Sequence, residues 1–162
     1  MDARLFIALF AVTFLHSANL SAEEQKYTTV FVNPNCSEDL LGTRMVYEVK
    51  EGIRRSTWLR LSDSKGKGEY IIHFMCLPPS KEATRTTIYS AVVTQEAFPH
   101  ENYLTQVVGL CGMGEENACA RTFVASLDEF LVDYQRRQRE AEEEADRAIR
   151  EAIENMRKPS KP

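Results

Sequence analysis

The chain has 162 residues, of which 27% are charged, and a formal net charge of -4 at pH 7. This acidic balance, without a basic patch interleaved with aromatic residues, argues against a nucleic-acid partner. About 140 residues would remain after removal of a leader, which is the usual size of one domain with one hydrophobic core.

The amino terminus has the layout of a secretory signal. An unbroken apolar run over 5–15 follows Met1 and Arg4, and small residues suited to signal peptidase come after it. We therefore predict a signal peptide over 1–22 and a secreted, extracellular protein. The run is too short for a bilayer-spanning helix, which takes roughly 20 residues, so we expect no membrane anchor.

Short runs rich in Val, Ile, Thr, Tyr and Phe predict a sheet of about five strands between residues 27 and 94. The predicted strands are 27–32, 44–49, 57–62, 69–75 and 85–94. In the second, Met45, Tyr47 and Val49 alternate with polar residues, which is typical of an antiparallel strand with one buried face. The glycines of 63–68 predict a hairpin loop between the third and fourth strands.

The pattern becomes helical after Pro99. Apolar residues at three- and four-residue spacing predict a short helix over 100–111 that packs on the sheet. No proline or glycine interrupts the chain from about 118 to 157, and this predicts one long charged helix. The predicted fold is therefore α+β, an antiparallel sheet covered by two helices. We expect one secreted domain over 23–135, a projecting charged helix over 136–158 and a disordered tail over 159–162.

Two interpretations of the projecting helix stay open. It can be a solvated single helix held by alanine propensity and by charge pairs at helix-neighbour spacing. It can also present a docking face to a partner protein, or to a second copy of the chain in a homodimer, because small residues follow a heptad register. The predicted partner face consists of Ala141, Ala145, Ala148, Ile149, Ala152 and Met156.

The four cysteines suit an oxidising compartment and allow three pairings. A short glycine-containing loop separates Cys111 from Cys119, which favours a bridge between them and leaves Cys36 for Cys76. The Cys-x2-Cys or His-x3-His spacing of a zinc site is missing. We therefore expect structural disulfides and no metal.

Residue types suited to catalysis are sparse in this sequence. His73 and His100 are the histidines of the predicted mature chain. His73 shares one side of its strand with Ile71 and Met75, a position typical of a hydrogen-bonded core or rim residue. No Gly-x-Ser-x-Gly elbow, zinc-protease helix or dinucleotide loop is present. We therefore expect no enzymatic activity, no catalytic residues and no cofactor.

Residues 106–109, Gln-Val-Val-Gly, resemble the Gln-x-Val-x-Gly hairpin of the cystatins. The glycine comes one residue early, and Cys36 and Cys76 precede the string, whereas all four cystatin cysteines follow it. The resemblance implies a secreted protease inhibitor with a sheet wrapped on a helix and two bridges.

The sequence as a whole predicts a secreted, non-catalytic recognition protein that binds another macromolecule, such as a host or partner protein. A sheet edge and a helix face are the expected docking surfaces. The first alternative is a carrier whose sheet closes over a small apolar ligand, and a filled core competes with that cavity. A protease inhibitor or a hydrolase is the third interpretation. The predicted cavity residues are Tyr47, Trp58, Leu59, Ile72, Phe74, Tyr89 and Val92.

Two short strings match the acceptor pattern for N-linked glycosylation. They begin at Asn19, in Asn-Leu-Ser, and at Asn35, in Asn-Cys-Ser. Only Asn35 lies within the predicted mature chain. It is therefore the candidate glycosylation site, with a cysteine of a predicted bridge at its centre.

Overall fold

The computed structural model describes residues 27–80, 85–97 and 99–157. They form an α+β fold with a five-stranded mixed sheet and two helices. The predicted signal peptide over 1–22 and the predicted tail over 159–162 lie outside the described residues. No helix of the described ranges is both long and apolar enough to span a bilayer. The elements are β1 (Thr28–Asn35), α1 (Leu40–Arg55), β2 (Leu59–Leu61), β3 (Tyr70–Leu77), β4 (Thr86–Ala97), β5 (His100–Gly112) and α2 (Glu116–Arg157).

The sheet is mixed, with strand order β2-β1-β3-β4-β5. β1 is parallel to both β2 and β3, whereas β3 with β4 and β4 with β5 are antiparallel. The predicted all-antiparallel sheet is therefore wrong for its first half. Residues 63–68 do not form a hairpin but belong to a crossover from β2, past β1, to β3, because parallel strands cannot be joined by a tight turn.

Residues 44–49, predicted as a strand, lie inside helix α1. Asp39 caps this helix, its Oδ1 accepting a hydrogen bond from the backbone N of Gly42 at 3.0 Å. Met45 and Val49 are fully buried while Tyr47 is exposed, so the buried residues recur every four positions, as on a helix. The period-two alternation was too short to distinguish the two structures.

Residues 100–111, predicted as a helix, form strand β5. A β-bulge explains the error. In the pairing with β4, Thr105 and Tyr103 have partners and Leu104 between them has none. A bulge shifts the alternation of sides by one residue, so Leu104 and Val107 both pack against the core although they are three positions apart. Their three-residue spacing is therefore the same as that of residues on one face of a helix.

Helix α2 is continuous over 42 residues, in agreement with the predicted long helix over about 118–157. Its first part packs through a buried stripe that includes Phe123, Leu127 and Leu131. Both helices contribute to one core with the sheet residues Ile72 and Phe74. We call this side of the sheet the helix-covered face and the opposite side the open face.

Two disulfides brace the helix-covered face. Cys36 is bonded to Cys76 and Cys111 to Cys119, which confirms the predicted pairing. The first joins the carboxyl ends of the neighbouring parallel strands β1 and β3. The second ties the end of β5 to the start of α2 and so fixes where this helix enters the core.

Candidate binding surface

Alternate residues of the strands point to the open face. Ile72 and Phe74 on β3 belong to the core shared with the helices, so His73 and Met75 between them point the other way. The hydrogen bond between Gln106 on β5 and Ser90 on β4 joins two further side chains of the open face. In the described ranges, both helices lie on the other side of the sheet.

One end of the open face is apolar. Leu77, Ile88 and Leu110 are paired in register and form a row across β3, β4 and β5. In the next row, Met75 and Val108 lie on either side of Ser90. Each of the five is between 39% and 68% exposed. We call them the open-face apolar surface.

The five side chains of the open-face apolar surface are contiguous. Side chains directly opposite each other on antiparallel strands have Cβ atoms about 4.5–5.5 Å apart. Together the five leave on the order of 500 Å² of apolar surface, which is at the upper end of the range for the largest patch of a monomer. A surface of this size is typical of a binding site.

Strand β5 adds a free edge to this surface. It is last in the strand order and 13 residues long, and the outer side of its backbone has no strand partner in the described part of the chain. Natural edges are commonly protected by charges or prolines, yet residues 102–112 contain neither. The opposite edge, β2, has only three residues. Addition of a strand is therefore favoured at β5.

The other end of the open face carries a polar cluster centred on Glu101. Its Oε2 lies 2.8 Å from His73 Nε2 and accepts a hydrogen bond from Thr94 Oγ1 at 2.9 Å. Lys65, from the crossover segment, forms an ion pair with Oε1. The contact with Lys65, followed by those with His73 and Thr94, lowers the pKa of Glu101 to about 2. Asn33 Nδ2 lies 3.4 Å from His73 Nδ1.

The polar cluster joins the crossover segment and strands β1, β3, β4 and β5. His73 and Thr94 also have to be considered as a base and a nucleophile. A histidine that activates a hydroxyl must have a ring nitrogen free to accept the hydroxyl proton. His73 Nε2 lies 3.3 Å from Thr94 Oγ1 but closer to Glu101, and Thr94 donates to Glu101 as well. Both groups are therefore oriented toward the carboxylate. The arrangement ties the crossover segment, β3, β4 and β5 together beside Ile71, which is fully buried.

The residues predicted to line a ligand cavity do not share one space. Phe74 stacks on Tyr89 at 5.6 Å between ring centroids and meets Phe123 edge-on at 5.4 Å, so these rings fill the space between sheet and helices. Leu59 and Ile72 are fully buried in the same core.

The remaining predicted cavity residues lie elsewhere. Tyr47 is exposed on α1. Val92 is paired in register with His73 and points to the open face. Trp58 is half-buried, and its indole Nε1 donates a hydrogen bond to Asp128 on α2. Tyr47 and Trp58 line two separate surface pockets, and Val92 lies on the other side of the sheet.

The predicted partner face on the long helix is exposed. All side chains from 139 to 156 are exposed, including those at the six predicted positions. At 100° per residue these six continue the stripe that Phe123, Leu127 and Leu131 bury in the core. Four of the six are alanines, which offer little apolar area to a partner.

Residues 106–109, which resemble a cystatin hairpin, lie in the middle of β5 and not in a turn. Gly109 is required there by packing: a Cβ at this position would lie 2.5 Å from Tyr89 Oη. The glycine therefore makes room for a core tyrosine on the helix-covered face.

Sequence reasoning missed the open-face apolar surface and the polar cluster. Residues 107–110, Val-Val-Gly-Leu, are a short continuous apolar run, and such a run could have indicated a strand with apolar residues on both faces. Glu101 lay in the predicted helix, so its approach to His73 could not be anticipated. No protein-family model matches the chain, and no curated protein matches it.

Proposed function

We propose that this is a secreted, non-catalytic recognition protein that binds an extended segment of another protein along strand β5. The observation that carries the proposal is that the open-face apolar surface reaches the free edge of the sheet, at Val108 and Leu110. An edge with free backbone groups and exposed apolar side chains beside it provides both parts of a strand-addition site.

The geometry of strand addition defines the chemistry of the partner. A strand added to β5 would lie about 4.7–4.9 Å from it, and its alternate side chains would point to the open face beside Val108 and Leu110. Those side chains should be apolar, because a charge placed against apolar surface loses hydration without gaining a partner. The expected ligand is therefore an extended segment with apolar residues at every second position and no charge among them.

Secretion is supported by two features of the chain. The amino-terminal run has the layout of a signal peptide, and the two disulfides are of the kind that persists in oxidising compartments.

The sheet surface is favoured over the long helix as the docking site. The open-face apolar surface consists of Leu, Ile, Val and Met side chains, whereas alanine dominates the exposed stripe of α2. Buried apolar area supplies most of the free energy of association. The sheet therefore offers more stabilisation per residue, in addition to the backbone hydrogen bonds of β5.

Selection of linear peptides from a displayed library tests this function. We expect enriched peptides with alternating apolar residues, and protection of β5 amides from hydrogen exchange when a selected peptide binds. The double variant Val108→Lys, Leu110→Lys should weaken binding by at least about tenfold, or 1.4 kcal/mol. Val132→Lys is the matched control, because Val132 is 51% exposed on α2 and away from the sheet.

Two outcomes would contradict the proposed function. Selected peptides that bind the double variant as tightly as the wild type would place their site elsewhere. Protection confined to α2, with loss of binding in the Val132→Lys control, would assign recognition to the long helix.

A further inference from the structure

We propose that Asn35 carries an N-linked glycan in the exported protein, and that this glycan covers the β1 side of the open face. A partner would then reach the open-face apolar surface from the β5 side. The inference rests on the secretion that forms part of the proposed function, because the modification takes place during export.

Asn35 is presented as an acceptor asparagine should be. It is the last residue of β1 and is exposed, and Ser37 of the same acceptor pattern is exposed in the turn that follows. The Asn35 side chain makes no hydrogen bond to any residue that the structure describes, so a glycan on its nitrogen would displace no contact of the fold.

The register of the sheet determines where such a glycan would lie. Asn35 is paired with Met75 on the neighbouring strand β3, and it lies two residues after Asn33, whose side chain contacts His73 on the open face. Adjacent strands are about 4.8 Å apart. The first sugar would therefore begin next to Met75, at the margin of the open-face apolar surface farthest from β5.

The disulfide at the centre of the acceptor pattern does not prevent modification. Cys36 is bonded to Cys76, which lies 40 residues later in the chain. At a synthesis rate of about 5–20 residues per second, Asn35 precedes Cys76 by about 2–8 s. During that interval Cys36 has no Cys76 to pair with.

The reaction is a group transfer without oxidation or reduction. The amide nitrogen of Asn35 attacks the anomeric carbon of an oligosaccharide carried on a lipid pyrophosphate, with catalysis by the transferase of the export pathway. A C–N bond forms while the C–O bond to the pyrophosphate breaks. The amide loses one proton, and the lipid pyrophosphate leaves.

The test is expression of the full chain in eukaryotic secretory cells, followed by mass measurement before and after peptide-N-glycosidase treatment. We expect the secreted wild type to lose a glycan mass and to acquire Asp at position 35. Asn35→Gln and Ser37→Ala should be secreted without the glycan. Ser37→Thr is the matched control and should keep it, because threonine also satisfies the acceptor pattern.

Methionine oxidation tests the position of the glycan without any substitution. Met75 and Met113 are 49% and 51% exposed, and Met113 lies beyond the end of β5. Susceptibility to peroxide follows exposure, so Met75 should oxidise at least about twofold more slowly in the glycosylated than in the deglycosylated protein. Met113 should oxidise at the same rate in both.

The outcomes distinguish this inference from the proposed function. A secreted wild type whose mass the glycosidase leaves unchanged would overturn the site, while peptide binding at β5 could still be measured. Equal Met75 oxidation in the two forms would overturn the covering of the β1 side. Retention of wild type and Asn35→Gln alike inside the cells would instead contradict secretion.

Discussion

The two faces of the sheet are built from the same strands but differ in what covers them. On β5, Val107 packs against the core whereas its neighbour Val108 is exposed. On β3, Phe74 is almost fully buried and Leu77 is exposed. Residue type alone therefore does not distinguish the two faces. The helices make one face the source of stability and leave apolar side chains of the other available for binding.

The largest expected effect is on the helix-covered face. Phe74→Ala should destabilise the fold by about 3–5 kcal/mol, because it removes a ring that contacts both Tyr89 and Phe123 and leaves a cavity. Leu77→Ala, on the open face of the same strand, should change stability by less than about 0.5 kcal/mol. Urea unfolding of the two variants at pH 7 measures both effects.

Similar losses of unfolding free energy in Phe74→Ala and Leu77→Ala would contradict the proposed difference between the two faces. They would mean that the Leu77 side chain is packed against something in solution, and that the open-face apolar surface is not free to bind a partner.

A pair of glycines on β5 gives the next largest effect. Gly109→Ala should cost about 1–3 kcal/mol, because its Cβ would collide with Tyr89 on the helix-covered face and force this ring away from Phe74. Gly112→Ala is the matched control, since a Cβ there would meet nothing within 4 Å. Thermal unfolding of both variants should show a lowered Tm for Gly109→Ala alone.

The sequence was sufficient for those features that depend on local signals. The long helix followed from an uninterrupted stretch without proline or glycine, and the disulfide pairing from the short loop between Cys111 and Cys119. The strands over 69–75 and 85–94 were predicted close to β3 and β4. Each of these features is determined by neighbours in the chain.

Features that depend on distant segments could not be predicted. The parallel pairing of β1 with β3 is decided by the crossover around β1, which leaves no local signature. The bulge at Leu104 produced a helical spacing within a strand. The candidate binding surface was missed for the same reason. Its five residues come from three strands, and the register between these strands cannot be read from the sequence.

The polar cluster provides a pH-dependent test at the other end of the open face. Glu101→Gln should destabilise the fold slightly at neutral pH, because the solvent-screened ion pair with Lys65 is lost. The pKa of Glu101 is lowered to about 2 from an ordinary value of 4.5. Its contribution is therefore fully present above pH 4.5 and is lost as the pH falls through about 2.

Urea midpoints of wild type and Glu101→Gln at pH 7, 5, 3 and 2 measure this change. The difference between the two proteins should be largest at pH 7 and 5 and should nearly vanish at pH 2. A difference that stays constant over this range would show that Glu101 contributes through its shape and not through its charge.

The smallest expected effect is the most direct test of the comparison, because it uses adjacent residues. Val108→Thr should leave stability within about 0.5 kcal/mol of wild type, since the added hydroxyl meets water on the open face. Val107→Thr should cost about 1 kcal/mol or more, because the same hydroxyl would be placed against the core.

Only Val108→Thr should weaken selected peptides, since Val108 borders the proposed added strand. If Val107→Thr weakened the peptides equally while both variants stayed folded, recognition would not be specific to the open-face apolar surface.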